Sequence, residues 1–362
     1  MRKIRLLEIE GSPYEMGYQH GVAHRDAIRM FAEERVHLSG SPVWTGRGLS
    51  REQVIALGDA CVEAHYAYSP QLMRELEGMA EATDLSLSEL VIVNGFTDFI
   101  DVVYNVGHSH APQAVPRSAD NCTAFIVPDH ATAEGYGFFG QTWDMHDTAT
   151  PYVILLRCRP NDGPASLVFT ITGCVGMIGM NDAGIAVGIN NLLGGDGQIG
   201  VTWPFVIRKV LLQTNIDDAL ACITDAQLAG AHNYLLFDKE GRGYNIEAMS
   251  TEKHIQELDD NPITHTNHCL NPITDAVARE RAPASLAHSQ TRLLCANQLL
   301  TQRPITPQSL MALTREPTAI CTISKPPFHV ETCGAAIMRP ATGDFWAVWG
   351  LPTENEYERF SV

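Results

Sequence analysis

No stretch of this chain stays apolar for the ~20 residues that a membrane-spanning helix needs, and positive charge is scarce. Lysine and arginine total 25 against 42 aspartates and glutamates, a formal net charge of −17. The first shortage speaks against a bilayer span. The second speaks against nucleic acid or an anionic membrane as partner, because phosphate attracts positive surface. The opening residues "MRKIRLLEIEGSPYEMG" hold no sustained apolar run, since Glu8, Glu10 and Gly11 interrupt it, so no secretory signal is read. The C-terminal "RFSV" is not the peroxisomal tripeptide. A cytoplasmic protein is expected. The nine cysteines are odd in number, scattered and never paired as CxxC, which argues against a disulfide framework and a structural zinc site. No dinucleotide fingerprint, phosphate loop, fixed-period repeat or low-complexity tract is present, and no cofactor is expected.

What is there is enough apolar material for a large core: 362 residues with 45% hydrophobic content. "IRLLEIEGS" predicts a strand, and Ser12 with Pro13 caps a helix running through "YEMGYQHGVAHRDAIRMFAEERV". Ser50 and Gln53 have capping-box spacing, and Ser86 caps a helix read as continuous through "SLSELVIVNGFTDFIDVVY". A loop with Pro112 and Pro116 follows. From residue 122 the texture changes to strands: "CTAFIVP", "YGFFGQTWDM", "YVILLRC", "ASLVFTITG", "VGMIGM" and "GIAVGIN". Two helices follow, then a hairpin turning at "DKEG", helices at "SLAHSQTRLLCANQLL" and "TPQSLMALTRE", and a closing hairpin "GAAIMRPATGDFWAVWG". Runs of helices and runs of strands imply an α+β layered architecture with helices over one or two antiparallel sheets.

Cys122 stands at the junction of the two textures, in "ADNCTAF". A thiol attacks as thiolate, and with an ordinary pKa near ~8.5 it needs a base or a positive setting. No histidine or lysine lies close in sequence. Were the chain cut just before Cys122, its own α-amino group, with a pKa of about 7.7 to 8.0, would serve as that base.

The chain resembles the acyl-coenzyme A:penicillin-nucleus acyltransferase family, the self-cleaving peptidase C45 group of the N-terminal nucleophile hydrolases. The motifs that carry the resemblance are "GSPYEMGYQHG", "NCTAF", "GQTWDM", "GMNDAGIAVGINNL", "THTNHCL" and "WGLPTENEYERF". Each is weak alone; their order and separation over nearly the whole chain are specific. The resemblance implies a four-layer αββα sandwich made as a precursor. The Asn121–Cys122 bond would be cut by Cys122 itself. Residues 1–121, mostly helical, would be the small subunit and 122–362 the catalytic one, held together as one domain. Asn121 departs from the glycine of the best-known member, and asparagine offers a second route to cleavage by cyclising on its own backbone.

The resemblance assigns roles residue by residue. Asp144 would accept an N–H from the new terminus. Asn267 would donate its side-chain amide to the developing oxyanion, an interaction worth about 3 kcal/mol in such sites. Asn190 would be a further amide near the site, with Asn191 its competitor. His265 and His268 read as hydrogen-bonded structural histidines, with no acidic ligand at metal spacing, and Cys269 as a cysteine in a family-like motif without a cleavable loop. "GGDG" at 194–197 reads as a glycine-rich turn near the pocket. Leu351 of "WGLPT" stands where the penicillin-nucleus enzyme has arginine. A leucine offers apolar contact where an arginine fork grips carboxylate, so the amine portion of the substrate is expected to lack a carboxylate at that point.

The expected activity is hydrolysis of a small-molecule N-acyl amide through an acyl-Cys122 intermediate. Alternatives are transfer of an acyl group from a thioester such as acyl-CoA to an amine, and a non-enzymatic, uncut scaffold of the same fold. The expected partners are the small-molecule amide or acyl donor and the chain's own N-terminal fragment. A homo-oligomer is left open.

Overall fold

A computed structural model describes residues 2–106, 121–326 and 328–362. Most of the expected loop before Cys122, from residue 107 to 120, lies outside the described residues.

The chain opens with strand β1 (Leu6–Gly11) and six helices: α1 (Pro13–Ser39), α2 (Pro42–Thr45), α3 (Arg51–Tyr68), α4 (Pro70–Thr83), α5 (Leu87–Val93) and α6 (Phe96–Val106). The starts of α1, α3 and α5 carry reciprocal capping boxes, Ser12 with Glu15, Ser50 with Gln53 and Ser86 with Glu89, each satisfying orphan N–H groups of the first turn. The helix expected to run on from Ser86 is broken between α5 and α6. The Asn94 amide donates to Leu90 O and Gly173 O and accepts from the Val175 N–H, and a β-carbon on Gly95 would strike Thr202. Tertiary hydrogen bonds thus outcompete helical periodicity there. In α1, side chains at Gly17 or Gly21 would collide with α4, as one at Gly78 would with α1. Those glycines of the opening motif let two helix backbones approach closely, and His20 between them accepts the Gly173 N–H at 3.0 Å.

Strands then dominate: β2 (Ala124–Val127), β3 (Phe138–His146), β4 (Val153–Pro160), β5 (Ser166–Ile171), β6 (Ile178–Asn181) and β7 (Ile185–Asn191). Helices α7 (Trp203–Val210) and α8 (Ile216–Thr224) lead to β8 (His232–Asp238), β9 (Gly243–Ala248), β10 (Lys253–Glu257) and β11 (Ile263–His265). The rest is α9 (Pro272–Asp275), α10 (Pro283–Leu299), α11 (Pro307–Thr314), β12 (Val330–Arg339), β13 (Asp344–Trp349) and β14 (Glu358–Ser361).

These strands form two sheets, an eight-stranded one in the order β1-β4-β5-β6-β7-β8-β9-β10 and a six-stranded one in the order β11-β2-β3-β12-β13-β14. All pairings are antiparallel except β1 with β4, which is parallel. Strands β2 and β3 pack on β7 and β8 across the inter-sheet space, α1, α7 and α8 pack against the first sheet, and α10 and α11 against the second. The architecture is therefore α+β, a four-layer αββα sandwich. Every residue of β3, β5, β7 and β8 is buried; with both faces covered, Leu167, Val168 and Phe169 of β5 run on without apolar–polar alternation. Among the described residues, no helix is long and apolar enough to cross a membrane.

Candidate active site

The first catalytic candidate sits where β2 begins. The Thr142 N–H donates to Thr123 O at 2.9 Å and the Thr123 N–H to the Thr142 hydroxyl at 3.1 Å, which seats Cys122 beside Asp144 of β3. The Asp144 N–H points at the Cys122 sulfur at 3.4 Å, and the sulfur lies 3.8 Å from Asp144 O. Cys122 is 2% exposed.

Opposite Asp144 the register of β12 slips between Thr332 and Gly334, a bulge of the kind that re-aims side chains beside functional sites. The Asp144 carboxylate is fully buried, and its oxygens make no hydrogen bond of ordinary geometry among the described residues. Burial pushes this carboxyl up to about 7, against the lowering influence of Arg292 and of the nearby Thr332, Thr322 and Thr142 hydroxyls.

Arg292 on α10 joins the separate candidates. One of its terminal nitrogens donates to the Cys122 carbonyl and, at 3.2 Å, to the Thr123 hydroxyl; the other donates to Asn267 Oδ1 at 2.9 Å. Because Arg292 has donors only, it fixes which end of the Asn267 amide is oxygen. The Asn267 Nδ2 end donates to Asn191 O at 3.1 Å. Cys122, Asp144 and Asn267 are thus brought together around one guanidinium.

Asn190, the next-to-last residue of β7, is fully buried, and neither side-chain atom has a partner among the described residues. A side chain at Gly188 would meet Gln141 and Phe139 of β3, so Asn190, two residues on, shares the face turned to the second sheet. Its neighbour Asn191 enters the network through its carbonyl. Leu351 is half-buried, follows β13, and is not among the residues lining the cleft described next; two residues on, the Thr353 hydroxyl lies 3.6 Å from Cys321 Sγ.

A cleft of about 450 Å³ borders the expected cleavage point, with Asn121, Ser285, His288, Cys321, Thr322 and Lys325 in its walls. His288 Nδ1 lies 3.3 Å from Asn121 Oδ1. Burial, helped by Arg292, lowers His288 to about 4, so near pH 7 the ring is neutral and offers one N–H. Neither Arg292 nor His288 was singled out from sequence. The signal for Arg292 was present: Ser289, Arg292 and Ala296 form the buried stripe of α10, and a charged residue at a core-facing helical position is rarely idle.

The remaining motif residues are bonded elsewhere. His265 Nε2 lies 2.9 Å from Glu247 Oε1 and its Nδ1 2.8 Å from Thr266 O, and His268 Nδ1 is 2.8 Å from the Ser289 hydroxyl. Burial and Glu247 push the Cys269 thiol up to about 12. The "GGDG" turn is tied down: Gly194 bridges to Ala278, and the Gly195 N–H donates to Val277 O. No group of three or more His, Cys, Asp and Glu side chains suited to a metal ion occurs among the described residues.

Comparison with known proteins gives this geometry a family. The chain is 27% identical over 286 residues, 75% of this chain and 73% of the other, to the 40 kDa form of acyl-coenzyme A:6-aminopenicillanic-acid-acyltransferase of Emericella nidulans. Among solved structures, it is similar to a variant of the conjugated bile acid hydrolase of Clostridium perfringens, with a TM-score of 0.45 and 12% identity over 67% of this chain and 97% of that one. A penicillin V acylase of Agrobacterium tumefaciens gives a TM-score of 0.42 and 11% identity over 67% of this chain and 86% of that one. The model of the acyl-coenzyme A:6-aminopenicillanic acid acyl-transferase family matches residues 131–353, more than half of the chain, and the chain belongs to that family.

Proposed function

We propose that this protein is a self-processing cysteine amidohydrolase. The Cys122 thiol attacks the Asn121 carbonyl carbon, the Asn121–Cys122 C–N bond breaks as the nitrogen takes a proton, and a thioester forms. Water hydrolyses the thioester, leaving an Asn121 carboxylate and a free Cys122 α-amine. Before that cut the Cys122 nitrogen is an amide without a basic lone pair, so the precursor can process itself but not turn over substrate. Afterwards the α-amine takes the thiol proton as sulfur attacks a substrate amide, and it returns that proton to the departing amine. Asp144 accepts an N–H from the ammonium. The Asn267 amide faces the oxyanion, with Asn190 as a further donor from β7. The acyl-Cys122 intermediate is then hydrolysed.

The observation that carries this reading is the Arg292 fork, which ties the Cys122 backbone to the Asn267 side chain beside a buried Asp144 whose oxygens have no hydrogen-bond partner among the described residues. Residues 1–121 stay attached after the cut, because β1 is hydrogen-bonded along β4 and α1 is packed on the same sheet. Leu351 marks an amine portion without a carboxylate at that point. The test is product analysis of a panel of N-acyl amides on the split protein: free acid and amine are the expected products, and no turnover by a fully split chain would defeat the reading.

Acyl transfer is the second reading, favoured by the name of the Emericella nidulans relative. An amine acceptor added to the same assay would then divert the acyl group from water. An uncut, inactive wild-type chain would instead support a scaffold.

A further inference from the structure

A second buried amide, outside the sequence motifs, stands beside Asn190. In the first sheet β7, β8 and β9 set Asn190, Asn233 and Glu247 side by side, and cross-strand partners share a face. Two observations fix which face it is. A side chain at Gly188, two residues before Asn190, would meet β3, and Glu247 reaches His265 of β11 at 2.9 Å, so the row looks into the space between the sheets. Asn190 and Asn233 are fully buried, and none of their side-chain nitrogen and oxygen atoms has a hydrogen-bond partner among the described residues.

The facing strands account for this. In the second sheet β3, β2 and β11 set Gln141, Ala124 and His265 side by side. The outer two span the gap: Gln141 accepts from the Ile189 N–H at 3.0 Å and donates to Ile189 O, and His265 is bonded to Glu247. Between them Ala124 has only a methyl group, which offers the two amides nothing to bond. Cys122, two residues before Ala124, shares a core with Ala124 and Ile126, whereas Phe125 and Val127 belong to the core beneath α10 and α11. The asparagines lie at the same end of the inter-sheet space as Cys122. Asn191 O accepts from Asn267 Nδ2 at 3.1 Å, and Arg292 joins Asn267 to the Cys122 carbonyl.

Resting on the amidohydrolase reading, we propose that Asn233, paired with Asn190, holds the water that hydrolyses the acyl-Cys122 intermediate. Buried amides are normally satisfied, and each presents donors and an acceptor together, which suits a small neutral molecule of the same kind. A buried water makes about three hydrogen bonds; two go to the amides, and a lone pair is left to face the acyl carbon. The water oxygen bonds to that carbon as the Cys122 α-amine takes one of its protons. The C–S bond breaks, and the sulfur receives that proton from the ammonium. Asn190 serves both groups, with its Nδ2 at the oxyanion and its Oδ1 on the water. A neutral amide cannot take the proton, so what Asn233 supplies is placement. The consequence is a bias of the acyl-enzyme toward water over an amine acceptor.

With p-nitrophenyl butyrate as acyl donor to the split protein and hydroxylamine competing against water, the ratio of hydroxamate to free acid reports that bias. Asn233→Leu, close to asparagine in size but unable to hold water, is expected to raise the ratio about tenfold. Asn233→Ser, which keeps a hydroxyl, is expected to raise it less. A ratio unchanged by Asn233→Leu would overturn the proposal. Should that variant fail to fold, a crystal structure of the wild-type protein decides: a water bonded to both amides is expected, and amides bonded to protein atoms alone would overturn the proposal. A split protein that holds this water but never carries an acyl group on Cys122, by intact mass, keeps the water site and defeats the amidohydrolase reading. One that forms and hydrolyses acyl-Cys122 with a ratio indifferent to Asn233 does the reverse.

Discussion

Two buried carboxylates, Asp144 and Glu247, occupy neighbouring regions of the molecule in opposite states. Glu247 receives the Leu270 N–H at 2.6 Å, the Asn271 N–H at 3.2 Å, the Thr274 hydroxyl and the His265 ring. Burial alone would raise it, but His265 and these donors outweigh that and hold it down at about 2. Among the described residues no donor reaches Asp144 in hydrogen-bonding geometry, and burial pushes it up to about 7. A satisfied carboxylate fastens β9 to the "HTNHCL" loop. A buried carboxylate with a raised pKa beside a thiol is a candidate for chemistry, and the two stretches that hold these carboxylates do not reveal that difference as sequence.

The comparison breaks first at Glu247. Glu247→Ala strands several buried donors and is expected to lower stability by about 3–5 kcal/mol, measured as a fall in the urea midpoint. A loss below 1 kcal/mol would mean that the network is ornamental. Asp144→Asn should leave stability nearly unchanged near pH 4, where the native carboxyl is protonated, while slowing self-cleavage and turnover near pH 7 by about a hundredfold or more.

The pH dependence sharpens the same contrast. Asp144, raised from 3.8 to about 7 on folding, lends stability that is whole below pH 3.8 and lost as pH rises through 7. Glu247, lowered from 4.5 to about 2, lends stability present above pH 4.5 and lost as pH falls through 2. Asp144→Asn should therefore flatten the decline between pH 4 and 7, and Glu247→Gln the decline below pH 4.5, in urea midpoints taken across pH.

Smaller effects probe the edges of the reactive region. His288→Ala removes one neutral hydrogen bond to Asn121 and should slow self-cleavage about three- to tenfold, followed by time-resolved mass measurement. Leu351→Arg should shift the ratio of turnover between carboxylated and uncarboxylated amines by about tenfold or less. An unchanged ratio would remove Leu351 from substrate recognition.

What could be read from the sequence was local. Ser12, Ser50 and Ser86 announce their helices because a cap and its partner lie three residues apart, and β5 announces itself by the apolar run of Leu167, Val168 and Phe169. The short strands β10, β11 and β14 and the single-turn helices α2 and α9 escaped because three to five residues carry little periodicity. The parallel seating of β1 on β4 depends on contacts nearly 150 residues apart. The candidate site divides in the same way. Cys122, Asp144 and Asn267 stand in motifs and were legible through family resemblance, whereas Arg292 and His288 arrive on α10 from far along the chain.

The most direct test of the central claim is the intact mass of purified wild-type protein beside Cys122→Ala. The expected wild-type result is two pieces, the larger beginning at Cys122, with the alanine variant remaining a single chain. A wild-type chain that stays whole contradicts self-processing at this bond. A Cys122→Ala chain that still splits there contradicts thiol attack and assigns the cut to Asn121.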